Sequence, residues 1–524
     1  MHQTFSLTLP PEVALDSALF ETTVLEHLRL APQPDLIIRK TKQTIDARNR
    51  QVKVLVEAEV FVGEPPSTRI EYVIPKADVS HRPPVIIVGA GPAGLFAALR
   101  LVELGFKPIV LERGKDVRSR RRDLAALNKE HLVNPESNYC FGEGGAGTYS
   151  DGKLYTRSKK RGDIRRILEI FVAHGASEDI LVEAHPHIGT NKLPQIVADL
   201  RESIRNAGGE VRFDSKVTDF LLQNGQIEGV VVNQVEELQG IGVILATGHS
   251  ARDIFELCQQ KQVFIEAKSF AMGLRVEHSQ QLIDSLQYHR PNRGLLPAAA
   301  YSLVAQTRYK GIERGVFSFC MCPGGFIVPS ATAPGEVVVN GMSPSRRDSK
   351  FANSGIVVAV NEPDWQPYRA LGALAGLAFQ QEVERNAFKA TQTQAAPAQR
   401  LLDFVQGKIS KDLLPVSYQP GLVSVDLGDL LPDTLYQPLK QGFVQFGQKM
   451  KGYVSNQAQL IGVESRTSSP VRIPRDRESL EHVQIKRLFP CGEGAGYAGG
   501  IMSAAMDGER CAEQLVTLYG GQKG

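Results

Sequence analysis

Gly89, Gly91 and Gly94 stand in G-x-G-x-x-G spacing, a pattern that can hold the pyrophosphate of a dinucleotide. Gly89 permits a tight turn, Gly91 lets backbone approach the phosphates, and Gly94 lets a helix and a strand pack closely. Pro92 and Ala93 lie between them, where a helix would begin and offer its unpaired N–H groups and positive dipole end to phosphate. Glu112 lies 18 residues after Gly94. That is near the roughly 20 expected for an acid bonding a ribose 2′-hydroxyl, and Arg113 follows it. The chemistry implied is dinucleotide binding, with the identity of the dinucleotide open.

The elements around these residues have the required order. Val85–Val88 is a continuous apolar run, as in a strand buried on both faces. Leu95–Leu104 carries helical periodicity, Gly105 ends it, and Pro108–Leu111 is a second strand running into Glu112. Further on, a basic helix (Val117–Lys129), a glycine-rich loop (Phe141–Lys153) and a helix (Leu193–Asn206) precede a hairpin turning at Asn224-Gly225. A buried strand, Gly242–Leu245, leads into Ala246-Thr247-Gly248.

The β-α-β rhythm is lost between about 267 and 440 and returns with Leu488–Pro490 and a last helix, Gly500–Leu518. The expected architecture is therefore α/β: a discontinuous Rossmann-type domain (84–266 and 441–524) with an inserted α+β domain (267–440). A small N-terminal β-α-β-β domain (1–80) precedes the linker His81–Pro84. Ala390–Gln399, rich in Ala, Gln and Thr, is expected to be a solvated loop.

Composition excludes several classes. A formal charge of +3 gives no global electrostatic case for nucleic acid, and residues 1–80 hold 9 Lys/Arg against 11 Asp/Glu. The basic runs Arg118–Arg122 and Arg157–Arg166 are expected to be solvated helix faces. No apolar run approaches the roughly 18–20 residues needed to cross a bilayer. The N-terminus lacks a signal-peptide pattern, and six cysteines without C-x-x-C do not form a disulfide framework. A cytoplasmic location follows as the expectation.

Longer motifs add specificity: FGEGGAGTYSDGKL (141–154), PHIGTNKLPQIV (186–197), FAMGLRVEH (270–278), FCMCPGGFIVPS (319–330), VESRTSSPVRIPRD (463–476) and FPCGEGAGYAGGIMSAAMDG (489–508). On these segments the chain resembles, over essentially its whole length, the bacterial FAD-dependent dehydrogenase-like flavoproteins of mostly unassigned substrate. They are a branch of the glutathione-reductase-type fold. The resemblance implies FAD, a flavin-dependent redox activity and an inserted substrate domain.

The residues support FAD separately, since so long a cofactor needs a second backbone cradle. Phe489–Gly508 offers a short strand, Gly492, Gly499 and Gly500, and a helix start at Ile501 that would aim N–H groups at the flavin. Glu493 stands where related flavoproteins usually carry an Asp. Gly144 and Gly145, with Ser150 and Lys153, form another glycine-rich loop for the pyrophosphate or the ring. Val217 is placed to bond adenine through its backbone or simply to pack. Ala246, Thr247 and Gly248 would let the chain cross beside the cofactor.

Catalytic residues are not named by the sequence. His249 and His278 are weak proton-donor candidates, with structural roles the better expectation. Cys320 and Cys322 sit in C-x-C on a strand, where alternation puts both on one face. They are weak catalytic candidates as redox-active thiols, with packing the better expectation; disulfide reduction is disfavoured, and Cys140 stands alone. His185 and His187 lack partners at ligand spacing, so no metal is expected. Arg466 and Arg472 could bind an anionic substrate or the cofactor. The expected function is hydride transfer between flavin N5 and a small organic substrate, with NAD(P)H as a transient reductant. A tRNA-modifying flavoenzyme and a flavin-bound sensor or scaffold are the alternatives, and the oligomeric state is open.

Overall fold

The computed structural model describes residues 2–66, 68–156 and 162–521. Its centre is a five-stranded parallel sheet in the order 488–490, 243–245, 84–88, 107–111, 210–212. Strand alternation sorts the apolar run of Pro84–Val88 between two cores. Val85 and Ile87 face the helices Pro92–Glu103, Leu193–Asn206 and Ile501–Tyr519. Ile86 and Val88 face the other way, toward a three-stranded antiparallel layer (217–223, 226–232, 236–239) and helix Arg252–Gln260.

The C-terminal helix closes this domain at backbone distance. A Cβ at Gly508 would lie 2.0 Å from the Ala93 carbonyl oxygen. Only glycine permits that crossing, which joins segments some 400 residues apart in sequence.

The insertion is a seven-stranded sheet in the order 304–309, 312–322, 351–360, 270–279, 459–464, 396–400, 422–424. Two features correct the sequence reading. Gln459–Glu464 pairs directly with Phe270–Ser279, so the insertion runs past 440 to at least Glu464. Ala396–Arg400, expected to be solvated loop, is a buried strand lying between 459–464 and 422–424. Its composition hides it, because Ala, Pro and Gln have little strand propensity. Buried amides stabilise it instead: Gln399 donates to the Lys408 carbonyl at 2.7 Å and accepts from Leu427 N–H at 3.1 Å.

The N-terminal unit is an antiparallel sheet (2–9, 53–62, 36–46) covered by helix Ser17–Leu28. It touches the rest through Gln43, whose N–H and C=O pair with Val182 and Ala184, through Glu12, which accepts from Arg290 at 2.8 Å, and through Val52, which joins the core of the insertion.

Candidate functional site

One cavity of about 380 Å³ runs from the parallel sheet to the insertion. At one end it is bordered by Gly89, Gly91, Pro92 and Ala93, with Glu112, Arg113 and Val217 beside them. Ala246, Thr247 and Gly248 border it as well, together with Gly145, Ser150 and Lys153. Glu493, Gly499, Gly500 and Ile501 line the wall nearer the insertion, which contributes Phe319, Cys320, Asn340, Gly341, Arg466 and Thr467.

The glycines divide into two kinds. A Cβ on Gly94 would sit 1.9 Å from the Gly89 carbonyl oxygen, and one on Gly89 would sit 2.5 Å from that of Ala246. These hold chain against chain. At Gly91, Gly248, Gly499 and Gly500 a Cβ would meet nothing within 4 Å, and all four border the cavity. Their bare backbone is open to a ligand. Flanked by two glycine turns whose backbone is open to a ligand, the cradle fits FAD.

Three expected contacts lie off the cavity. Gly94 holds helix to strand, as described. Gly144 is packed within its loop, where a Cβ would be 1.8 Å from Thr148 Oγ1. Gly492 donates its N–H to Asp507 Oδ2 at 2.8 Å. Gly144 and Gly492 thus shape the cradle from behind.

Glu112 is buried and held by backbone. Its carboxylate accepts from the N–H groups of Ala90, Gly114 and Gly142, each at 2.9 Å. A carboxylate has about four acceptor directions, so one remains for a ribose hydroxyl. Arg113 lies over the Phe141 ring and pairs with Glu136 and Asp253.

Among residues missed by sequence reading, Arg120 matters most. Expected on a solvated basic face, it is fully buried and donates to the carbonyls of Asn138, Glu143 and Gly145. It thereby shapes the glycine-rich loop. The signal was present: Val117, Arg120, Leu124 and Leu127 follow helical spacing on one buried face. In the second basic run, residues 157–161 lie outside the described residues; Arg165 pairs with Glu169, and Arg166 with Glu103 and Glu509.

The candidate acids and bases separate clearly. His249 borders the cavity, shares a 2.9 Å hydrogen bond with Ser250 Oγ and lies 3.9 Å from Glu493. Burial, with Arg466 and Arg252 nearby, pulls it down to about 4. It is therefore neutral near pH 7, not a cationic proton donor. Glu493 moves the other way: burial lifts its carboxyl to about 7, poised to hold or release a proton. His278 is away from the cavity, bonded to the Tyr453 carbonyl at 2.8 Å inside the insertion core. That position removes it as a donor at the site.

Arg466 and Arg472 also part. Arg466 reaches the cavity but is tied into a buried cluster with Thr332, Glu336 and Glu384, which Arg252 joins from the nucleotide domain. Arg472 lies off the cavity against Tyr497. His187 bonds the Ser345 carbonyl, and the His185 ring packs against that of Tyr155 at a 58° tilt.

The wall facing the second cradle rests on Arg275, also missed in the sequence. Fully buried, it donates to Glu464 at 2.6 Å, to Asn353 at 2.7 Å and to the Cys320 carbonyl at 2.7 Å. A Cβ at Gly341 would strike its guanidinium at 2.2 Å. Cys320 itself has φ 45°, and its strand slips register between Phe319 and Cys322. The regular strand expected for C-x-C is broken there. Cys320 borders the cavity, and Cys322 is buried behind it.

Among the described residues, no helix is long and apolar enough to cross a membrane.

An FAD binding domain model matches residues 82–240, an FAD-dependent protein C-terminal domain-like model matches 269–467, and a domain of unknown function matches 1–61. An uncharacterized protein of Clostridium beijerinckii is 43% identical over 446 residues, covering 84% of this chain and 82% of that protein. The thiamine thiazole synthase of Aeropyrum pernix is 29% identical over 217 residues, 38% of this chain and 67% of that one. Among solved structures, a geranylgeranyl bacteriochlorophyll reductase-like protein from Thermoplasma acidophilum matches with 13% identity and a TM-score of 0.34, covering 84% of this chain and 79% of that chain. FAD is the cofactor, and the chain belongs to the same family as the uncharacterized Clostridium beijerinckii protein.

Proposed function

We propose that this FAD-dependent oxidoreductase passes a hydride between flavin N5 and a small organic substrate held against the insertion, with NAD(P)H visiting the same face as reductant. One observation carries the reading. The cavity that begins at the nucleotide turn ends between a helix N-terminus and the insertion wall, where a flavin ring and a substrate would meet.

FAD, when bound, supplies a two-electron acceptor and donor. The protein's residues do the rest. Gly91 and the start of helix Pro92–Glu103 take the phosphates, with Glu112 on the ribose. Val217 stands beside the nucleotide end, and Ala246–Gly248 pass alongside. Gly500 and Ile501 open a 19-residue helix whose N–H groups favour negative charge on a reduced ring. Lys153, half-buried and hydrogen-bonded to the Met321 carbonyl, adds a positive charge to the cavity wall. Glu493 holds the proton that accompanies electron transfer, because its raised carboxyl is protonated for part of the time near neutrality. Phe319, Asn340 and Gly341 shape the space left for the substrate.

Anaerobic stopped-flow mixing of the yellow protein with NADH and with NADPH tests this reading. Bleaching of the flavin by one of them is expected, followed by recovery with an organic acceptor. A protein that stays colourless after incubation with FAD, or whose flavin neither nucleotide nor any organic donor reduces, overturns it.

A further inference from the structure

The strand Ile312–Cys322 ends at the cavity with two cysteines two residues apart. In a regular strand such residues share a face at roughly 6.6 Å between Cα atoms, the upper edge of what a disulfide spans. This strand is not regular. Pairing with Phe351–Val360 slips between Phe319 and Cys322, and Cys320 takes φ 45°, a costly conformation for a residue with a Cβ.

Three contacts enforce the kink. Arg275 donates to the Cys320 carbonyl at 2.7 Å, Cys322 Sγ donates to the same carbonyl at 3.2 Å, and Lys153 Nζ donates to that of Met321. The kink leaves Cys320 bordering the cavity and Cys322 buried directly behind it. Two cations flank the pair: Lys153 and Arg275, whose guanidinium lies 3.6 Å from Cys322 Sγ.

We propose that Cys320 and Cys322 are a redox dithiol that exchanges two electrons with the flavin, cycling between paired thiols and a disulfide at the cavity wall. This rests on FAD occupying the cavity as described above. The neighbouring Cys322, with Lys153 and Arg275, holds Cys320 down to about 5 against burial, and the same neighbour together with burial pushes Cys322 well up. Cys320 therefore enters as thiolate and Cys322 as thiol. One S–S bond forms and one S–H bond breaks, and the two electrons and that proton pass to oxidised flavin. The reverse step returns them, and the thiolate facing the cavity is then free to reduce a disulfide-bearing or otherwise electrophilic substrate. Another close pair, Cys491 and Cys511, is buried in the core beside Asp507, with Arg475 donating to Cys511 and to Asp507, and does not border this cavity.

Anaerobic dithionite titration of the air-oxidised yellow protein, with thiol counting after denaturation, tests the pair. About four electrons per flavin are expected, against about two for Cys320→Ser and for Cys322→Ser, since flavin and disulfide are each two-electron couples. Of the six cysteines, two should be unreactive before reduction and all six reactive after it. The tryptic peptide 315–346 holds both residues and should lose the mass of two hydrogens on oxidation. Two electrons with six reactive thiols in yellow protein, or a bond mapped to Cys491–Cys511, would overturn the dithiol. A colourless protein would instead break the FAD reading. In that case diamide oxidation of the flavin-free chain, read on the same peptide, still decides the pair.

Discussion

The nucleotide turn and the insertion both bury charge, and they satisfy it by different means. Around the nucleotide turn the partners are backbone: Glu112 accepts three N–H groups, and Arg120 donates to three carbonyls, although the same domain also joins Arg201 to Glu143 and Arg475 to Asp507 through side chains. In the insertion they are side chains distant in sequence. Arg275 meets Glu464 at 2.6 Å, Arg314 meets Asp364 at 2.7 Å, and Arg252 and Arg466 converge on Glu336 and Glu384. Backbone groups exist at every residue, so a charge that needs them needs only the right local path. A side-chain partner is one specific residue, brought close only by the complete fold. The first kind of site should tolerate changes of side chain and fail on changes of path; the second should do the opposite.

Four experiments can break or sharpen that contrast. The largest effect is expected at Gly94→Ala, where the new methyl would overlap the Gly89 carbonyl and neither backbone can yield. A loss above about 4 kcal/mol follows, seen as unfolded or insoluble protein by circular dichroism. Near-native melting would mean that the turn is softer than the contact implies.

Next comes Arg275→Met, which leaves Glu464 buried without its partner and should cost about 3–5 kcal/mol in chemical denaturation. Adding Glu464→Leu should recover at least half, because the pair's desolvation cost goes with it. A double variant no better than the single would argue that Arg275 acts through Cys320 and Asn353 instead.

Gly91→Val is the complementary probe. Its side chain enters open space, so the flavin-free protein should melt within about 1 kcal/mol of the parent. Flavin affinity should fall at least ~100-fold, near 2.7 kcal/mol, measured by fluorescence titration. Equal retention of FAD would move the phosphate away from this turn.

The smallest effect belongs to Glu493→Gln in the flavin-free protein. A carboxyl raised from 4.5 to about 7 on folding favours the folded state at low pH, and that advantage is lost as pH rises through 7. Gln carries no charge at any pH. The variant should therefore flatten that part of the stability profile and gain about 1–2 kcal/mol at pH 8, reduced for the 25% exposure of the side chain. Parallel profiles would show that Glu493 ionises normally.

Legibility followed the same division. The strand, turn and helix at Val85–Glu103 and the second cradle at Gly499–Ile501 could be located from spacing alone, because glycine positions and apolar periodicity report local geometry. Of the expected cofactor contacts, Gly144 and Gly492 proved to be loop and turn supports, a distinction that depends on which atoms lie opposite. Arg120 was mistaken for surface because its neighbours in sequence are basic, although its helical phase matches a buried face. Ala396–Arg400 escaped notice because its stabilising partners, Lys408 and Leu427, come later in the chain.

The sequence by itself determined the cofactor class and the interrupted α/β architecture, since both follow from repeated local patterns of glycine, charge and apolar spacing. Tertiary structure alone decided what the insertion brings to the cavity. It set Arg275 behind Cys320, lowered His249, raised Glu493 and kinked the Cys320-Met321-Cys322 segment. Each of these depends on burial and on partners tens to hundreds of residues away, and neither is encoded in any short window of the chain.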